Sequence, residues 1–293
     1  MMKPLFSQIA PAKINLHLHI LSKRHSDGYH ILDSLFVFAD IGDELFFAPA
    51  KDLTLNITGD FAANLLVDEN NSIIKAAHML AKELNLPPSG EITLVKNLPI
   101  AAGIGGGTAD AAAALIGLQK LWGKTLPEDK LYEIAAKLGS DVSPSLYGRP
   151  VLIGGTGDIF HPAPKLPNLG IILVNPMVPV SSGEIFRSRK AVFSDAFTFL
   201  PEYKDAASLA ADLQKCRNDL TEAAITLQPI IAEAIEAIST KTSNCLLSRM
   251  SGSGSTCFGL YDSPEIAGKA AAELKKSYPD WWIKATGLKS DNQ

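Results

Sequence analysis

The chain has 293 residues, 46% of them hydrophobic and 20% charged, with a formal net charge of −4 at neutral pH. That length suffices for two ordinary domains, each burying its own core, and the apolar content excludes a disordered or fibrous chain. The slightly acidic balance gives no general attraction to nucleic acid or to an anionic membrane, so neither is an expected partner, and any polyanion must be held by local groups.

The opening MMKPLFSQIAPAK lacks the apolar core of a secretory signal, and no later run reaches the ~18 residues of a membrane helix, so a cytoplasmic location is expected. Cys216, Cys245 and Cys257 are odd in number and lack CxxC spacing, which indicates neither a disulfide framework nor a zinc site. Ile14, Leu16, Leu18 and Ile20 alternate with Asn15, His17 and His19, the period-two pattern of a half-buried strand with Lys13 at its mouth. His17 and His19 share one face of that strand, but no carboxylate or third ligand lies near them in sequence, so a metal is not expected there. Arg24 to His30 carries Asp-Gly turn chemistry followed by an aromatic ring and an imidazole, and reads as a polar hairpin loop. Leu32 to Phe38, Glu44 to Phe47 and Leu53 to Ile57 read as strands separated by Gly and Asp turns. Asn71 to Leu84 has helical spacing.

Ile92 to Val95 has strand character and stops before Pro99. The next stretch, Pro99 to Leu115, reads PIAAGIGGGTADAAAAL, and Ala111 to Leu121 within and beyond it is the best helix-forming segment of the chain. Gly103, Gly105, Gly106 and Gly107 lie between strand and helix, where a missing Cβ allows positive φ and lets backbone N–H groups approach a ligand closely. Those donors sit at a helix N-terminus, which favours an anion, and phosphate is the expected guest. A P-loop is excluded because no lysine separates Gly107 from Thr108, and a dinucleotide fingerprint because Thr108 stands where its third glycine belongs.

Glu128 to Leu138 reads as a helix closed by Gly139, which delivers Ser140 to Pro144 into a loop. Taken alone, Asp141 in that loop reads as a capping or surface acid. Val151 to Phe160 suits a hairpin, and Pro162, Pro164 and Pro167 mark a linker. Beyond it come a buried strand over Gly170 to Val174, a serine-capped helix near Phe186, and helical patterns at Asp205 to Lys215 and Asn218 to Thr240, the second broken by Pro229. Leu246 to Met250 and Thr256 to Tyr261 read as strands around the tight loop Ser251 to Ser255. Pro264 to Lys276 reads as a helix and Trp282 to Thr286 as a last strand. That order suits an antiparallel sheet with helices on one face.

The stretch from Pro99 resembles the second motif of the GHMP kinases (galactose, homoserine, mevalonate and phosphomevalonate kinases and their relatives), usually proline, several small residues, GxGGGSS and alanines. Thr108-Ala109-Asp110 departs from the commoner Ser-Ser: Thr108 keeps a hydroxyl for a phosphate oxygen or a metal, whereas Ala109 supplies none. Pro11-Ala12-Lys13-Ile14-Asn15-Leu16 resembles the first motif in its methylerythritol-pathway form, and Ser251 to Ser255 the third. Leu138-Gly139-Ser140-Asp141 is similar to the segment that carries the family's proposed base. Asp27-Gly28-Tyr29-His30 resembles members that act on a cytidine diphosphate-linked polyol.

The resemblance implies an α+β, two-domain GHMP kinase fold: an N-terminal domain over residues 1–162 resembling ribosomal S5 domain 2, and a ferredoxin-like domain over 168–290, with substrates meeting in the cleft between. It implies ATP and Mg²⁺ as cofactors, with ATP held by Pro99, Ile100, Ala101, Ala102, Gly103, Ile104, Gly105, Gly106, Gly107, Thr108 and Ala109. Thr108 is the candidate metal contact, and Asn71-Ser72 a candidate adenine contact. Lys13 and Asp141 would be catalytic, the first orienting and stabilising charge, the second accepting the hydroxyl proton. Asn15, Tyr29, His30 and Phe186 would bind the acceptor, with Tyr29 and Phe186 sandwiching the cytosine. The expected partners are small molecules alone, and the expected state is a monomer or weak homodimer. The alternatives are a GHMP kinase for a small acceptor such as homoserine or mevalonate, and a nucleotide sensor without catalysis. The aromatic pair argues against the first and the retention of Lys13 and Asp141 against the second.

Overall fold

The structure, a computed structural model, describes residues 3–190 and 192–289. The chain forms two compact units whose segments interleave. One holds the residues up to Ala12 together with Ile41–Ile100 and Gly105–Gly148; the other holds Lys13–Asp40, Ala101–Ile104 and the chain from Arg149 onward. This differs from a linear division at the proline linker. The reason is that β1 (Phe6–Lys23) and β2 (His30–Ala48) are 18 and 19 residues long and contribute to both units.

β2 joins what read as two strands. Gly42 makes no turn there: an added Cβ would lie 2.2 Å from the Ala10 carbonyl oxygen, so the glycine admits the backbone of β1 alongside. In the first unit, β3 (Leu53–Thr58) runs parallel to β4 (Gly90–Val95), and β4 pairs antiparallel with Glu44–Ala48 of β2. Between them α1 (Ser72–Glu83) is capped by Asn71, whose side-chain oxygen accepts the Ile73 N–H at 3.0 Å. The alternation of β4 buries Ile92 and Leu94 against α1 and against α2 (Gly106–Trp122), whose alanines 109 and 111–114 let it pack closely. α3 (Glu128–Leu138) and a short helix α4 (Val142–Tyr147) complete this core. α4 stands where a loop is expected from Pro144. That proline occupies the first helical turn, where no N–H is needed.

In the second unit, Ser34–Phe36 of β2 pair with β5 (Val151–Gly154), which forms a hairpin with β6 (Ile159–Pro162). A separate antiparallel sheet is built from β7 (Gly170–Asn175) and, beyond α5 (Ser182–Ser188), α6 (Ala206–Leu213), α7 (Thr221–Leu227) and α8 (Ile230–Thr240), from β8 (Leu247–Met250) and β9 (Cys257–Tyr261). α9 (Pro264–Ser277) leads to β10 (Trp282–Gly287), and the strand order is β10-β7-β9-β8. Ile172, Val174, Met250 and Tyr261 pack in one core with residues of α7, α8 and α9, as the sequence order implies. No helix of the described residues is long and apolar enough to cross a membrane.

Candidate active site

Gly105 caps α2 with φ +68°, and the first helical hydrogen bond runs from the Ala109 N–H to the Gly105 carbonyl at 2.9 Å. The N–H groups of Gly106, Gly107 and Thr108 therefore precede the helical ladder, at the positive end of a 17-residue helix. Gly106 and Gly107 belong to the helix, ahead of the segment that propensity marks as helical, because tertiary contacts hold its first turn against glycine's intrinsic cost. Gly107 is exposed, and a Cβ added there would meet only the Ser72 hydroxyl at 4.0 Å. Ser72 Oγ donates to the Gly107 carbonyl at 3.0 Å, and Thr108 Oγ1 donates to the Gly105 carbonyl at 2.8 Å. With its proton spent inward, the Thr108 hydroxyl keeps lone pairs, a donor type that fits a hard cation such as Mg²⁺.

Beneath this turn lies an ion cluster that sequence patterns did not reveal. Lys96 Nζ donates to Asp43 Oδ2 at 2.5 Å and to Asp110 Oδ2 at 2.6 Å, and all three side chains are at most 5% exposed. Asp43 Oδ1 accepts the N–H groups of Asn97 and Leu98, whereas Asp110 Oδ1 has no hydrogen-bond partner. Burial pushes the Asp110 carboxyl up to about 7 despite the pull of Lys96. Burial opposes the Lys96 charge, but the two carboxylates outweigh it and hold the ammonium pKa above its usual value. An added Cβ at Gly106 would lie 3.1 Å from Lys96 Nζ, so the cluster supports the underside of the turn. Asp141, half-buried, opens α4, and its carbonyl accepts from Ser145 Oγ at 2.7 Å. The preceding residue but one, Gly139, approaches Thr108: an added Cβ would lie 3.7 Å from Thr108 Cγ2.

The second unit holds Lys13, Asn15 and the first part of the glycine stretch. Residues 10–20 of β1 are buried without alternation, so the strand is covered on both faces and is not half-buried. Lys13 donates its backbone N–H to the Ile104 carbonyl at 2.9 Å and its ammonium to Asn15 Oδ1 at 2.8 Å, and the ammonium lies 4.6 Å from the centre of the Phe36 ring. Asn15 N–H donates to Ser251 Oγ at 3.1 Å, and Ser251 Oγ donates to the Gly103 carbonyl at 3.2 Å. The Thr256 N–H donates to the Ala102 carbonyl at 3.1 Å. Gly103, at φ +73°, is glycine because an added Cβ would meet the Ser251 and Gly254 carbonyl oxygens at 2.6 Å. Its freedom thus serves the chain's own packing against the serine loop.

Asp33 supplies the third group near His17 and His19 that is absent from their sequence neighbourhood. Every ring nitrogen is nonetheless committed. His17 Nδ1 accepts the Leu35 N–H, which leaves Nε2–H to face Asp33 at 3.3 Å. His19 Nε2 accepts the Arg217 N–H, and its Nδ1–H donates to the Asp195 carbonyl at 2.9 Å. Burial lowers the His17 pKa, with Asp33 only partly opposing. The three residues form a clasp that binds the segment around Asp195 and Phe197 to β1 and β2.

Of the acceptor-binding candidates, Tyr29 is 63% exposed at the end of a turn closed by Arg24 and Asp27. His30 opens β2 and packs on Phe186 of α5 with ring centroids 5.4 Å apart, tilted by 31°. Burial, with help from Lys23 and Arg189, lowers the His30 pKa and favours its neutral ring. Tyr29 and Phe186 both belong to the second unit.

Two family models match the chain: that of the GHMP kinases N terminal domain over residues 71–149, and that described as GHMP kinases C terminal over 198–280. A 4-diphosphocytidyl-2-C-methyl-D-erythritol kinase from Paramagnetospirillum magneticum is 48% identical over 285 residues, which cover 97% of this chain and 99% of that protein. The crystal structure of a 4-(cytidine 5′-diphospho)-2C-methyl-D-erythritol kinase aligns with a TM-score of 0.79 at 30% identity, covering 97% of this chain and 100% of that one. A homoserine kinase from Cytophaga hutchinsonii aligns with a TM-score of 0.73 at 19% identity over 100% of this chain and 97% of its own, a likeness of fold alone.

Proposed function

The chain belongs to the GHMP kinase family of ATP-dependent kinases, and from that premise we propose that it transfers the γ-phosphoryl group of ATP to the 2-hydroxyl of 4-diphosphocytidyl-2-C-methyl-D-erythritol, a step of the non-mevalonate isoprenoid pathway. The observation that carries the acceptor is the 48% identity, over nearly the whole of both chains, to a kinase named for that substrate. The contact between His30 and Phe186, whose rings are tilted by 31°, gives it a physical basis, since a neutral imidazole beside an aromatic ring suits a flat, hydrogen-bonding base.

Phosphoryl transfer calls for positioning, charge neutralisation and a group that receives the hydroxyl proton. The free first-turn N–H groups of Gly106, Gly107 and Thr108 hold the triphosphate. Thr108 would hold Mg²⁺, which when bound neutralises phosphate charge. Asp141 accepts the acceptor's proton, and Lys13, its ammonium steered by Asn15, stabilises the charge forming on the attacking oxygen. Asn15 places the polyol, while Tyr29, His30 and Phe186 hold the cytosine. A panel of acceptors tests the reading. kcat/KM with the cytidylyl polyol should exceed that with homoserine, mevalonate or galactose by more than about 10³-fold, because only the first fills the base site. Preferential turnover of homoserine or mevalonate would replace this function with that of a relative.

A further inference from the structure

Asn15 is 1% exposed, and both ends of its amide are engaged: Oδ1 accepts from Lys13 Nζ at 2.8 Å, and Nδ2 donates to Ser34 Oγ at 3.0 Å. The two ends of an amide are nearly equal in size, so packing alone does not choose which one faces the lysine. The choice is made by Ser34. Its hydroxyl is fully buried and has one proton, which it donates to the His17 carbonyl. The oxygen can then only accept, so Asn15 must turn its NH₂ toward Ser34 and its oxygen toward Lys13. A flipped amide would set an NH₂ against an ammonium and a carbonyl against a hydroxyl oxygen with no proton left to give. Both contacts would be repulsive inside a low-dielectric site.

We infer that Ser34 is a positioning residue for phosphoryl transfer: it locks the Asn15 amide in the one orientation that anchors the Lys13 ammonium. The inference rests on the reading of Lys13 as the group that stabilises the attacking oxygen. The relay is rigid at both ends. Ser34 is paired in register with Ile153 of β5, and the backbone of Lys13 is tied to Ile104. Ser34 touches neither end of the reaction and acts through Asn15 alone. The sequence offers no sign of this, because a serine in a strand is ordinarily a neutral filler.

The test is a double-mutant cycle with kcat and KM measured separately. Ser34→Ala should lower kcat by about tenfold or more and change the KM for ATP by less than about threefold, since a loosely held reacting group costs rate before it costs binding. In an Asn15→Ala background, where no amide remains to orient, adding Ser34→Ala should lower kcat no further. An equal fold-loss in both backgrounds, or wild-type kcat in folded Ser34→Ala, would overturn the inference. Ser34→Cys is only slightly larger and weakens both hydrogen bonds without leaving a cavity, so it should also lose kcat if the alanine variant misfolds; wild-type kcat in folded Ser34→Cys again overturns it. Lys13→Ala separates the two levels: a large loss of kcat there with none in Ser34→Ala refutes the relay alone, whereas an unchanged kcat in Lys13→Ala removes the reading of the site and the relay with it.

Discussion

At Asp110 the polypeptide holds a carboxyl group 3% exposed, with one oxygen on Lys96 and the other without a donor. Its pKa, near 4 in an unfolded chain, is pushed up to about 7 in the folded protein by burial first. Between those values the folded state binds more protons than the unfolded one, so the group's contribution to stability is full below about pH 4 and is lost as pH rises through 7. Asp110→Asn cannot titrate, so its melting temperature should gain on that of the wild type between pH 5 and pH 8. A difference that stays constant across that window would show that the carboxyl ionises normally. Lys13 and Asp141 stand out in sequence as candidates because each sits in a short local motif. The Lys96 cluster was not, because its partners lie 53 and 14 residues away and Asp43 reads as a turn acid beside Gly42.

The strand, glycine turn and helix around β4 and α2 can be divided by what each glycine faces. Gly103 faces the chain itself, and a methyl there would strike two backbone oxygens at 2.6 Å. Gly103→Ala should therefore lower stability by roughly 1–3 kcal/mol, the usual cost of overpacking. Gly107 faces open space within the first turn of a helix, where alanine ordinarily stabilises by about 0.5–1 kcal/mol. If the open space belongs to a phosphate, Gly107→Ala should raise the melting temperature of the free protein while weakening ATP binding by about tenfold. A variant with higher stability and unchanged ATP affinity would place the triphosphate elsewhere. Four glycines in five positions announce the turn, but propensity could not say that the helix begins at Gly106 instead of Ala111. Intrinsic preference puts glycine outside helices, and the ion cluster under Gly106 overrides it. The same kind of override makes α4 of a proline-containing stretch and one strand of two apparent ones.

Across the whole molecule, the order of elements after the linker follows the sequence closely, since each strand and helix there is short, periodic and bounded by Gly, Pro or Ser. The earlier chain is less legible, because the length of β1 and β2 shares them between two compact units, and a linear reading has no means of seeing a strand change its core. The placement of Tyr29, His30 and Phe186 in a single unit follows from this. On the proposed function, a base held by these three residues would be bound within that one unit. The central claim is that one phosphoryl group moves from ATP to one hydroxyl of the cytidylyl polyol, with Asp141 receiving the proton. Phosphorus NMR of the enzyme with ATP and that acceptor tests it most directly. The account predicts a new phosphomonoester signal, coupled to the 2-position, while the diphosphate bridge persists, and its rate of appearance should fall by about 10²- to 10⁴-fold in Asp141→Asn. Loss of the diphosphate signals, a monoester at another hydroxyl, or an undiminished rate in Asp141→Asn would contradict it.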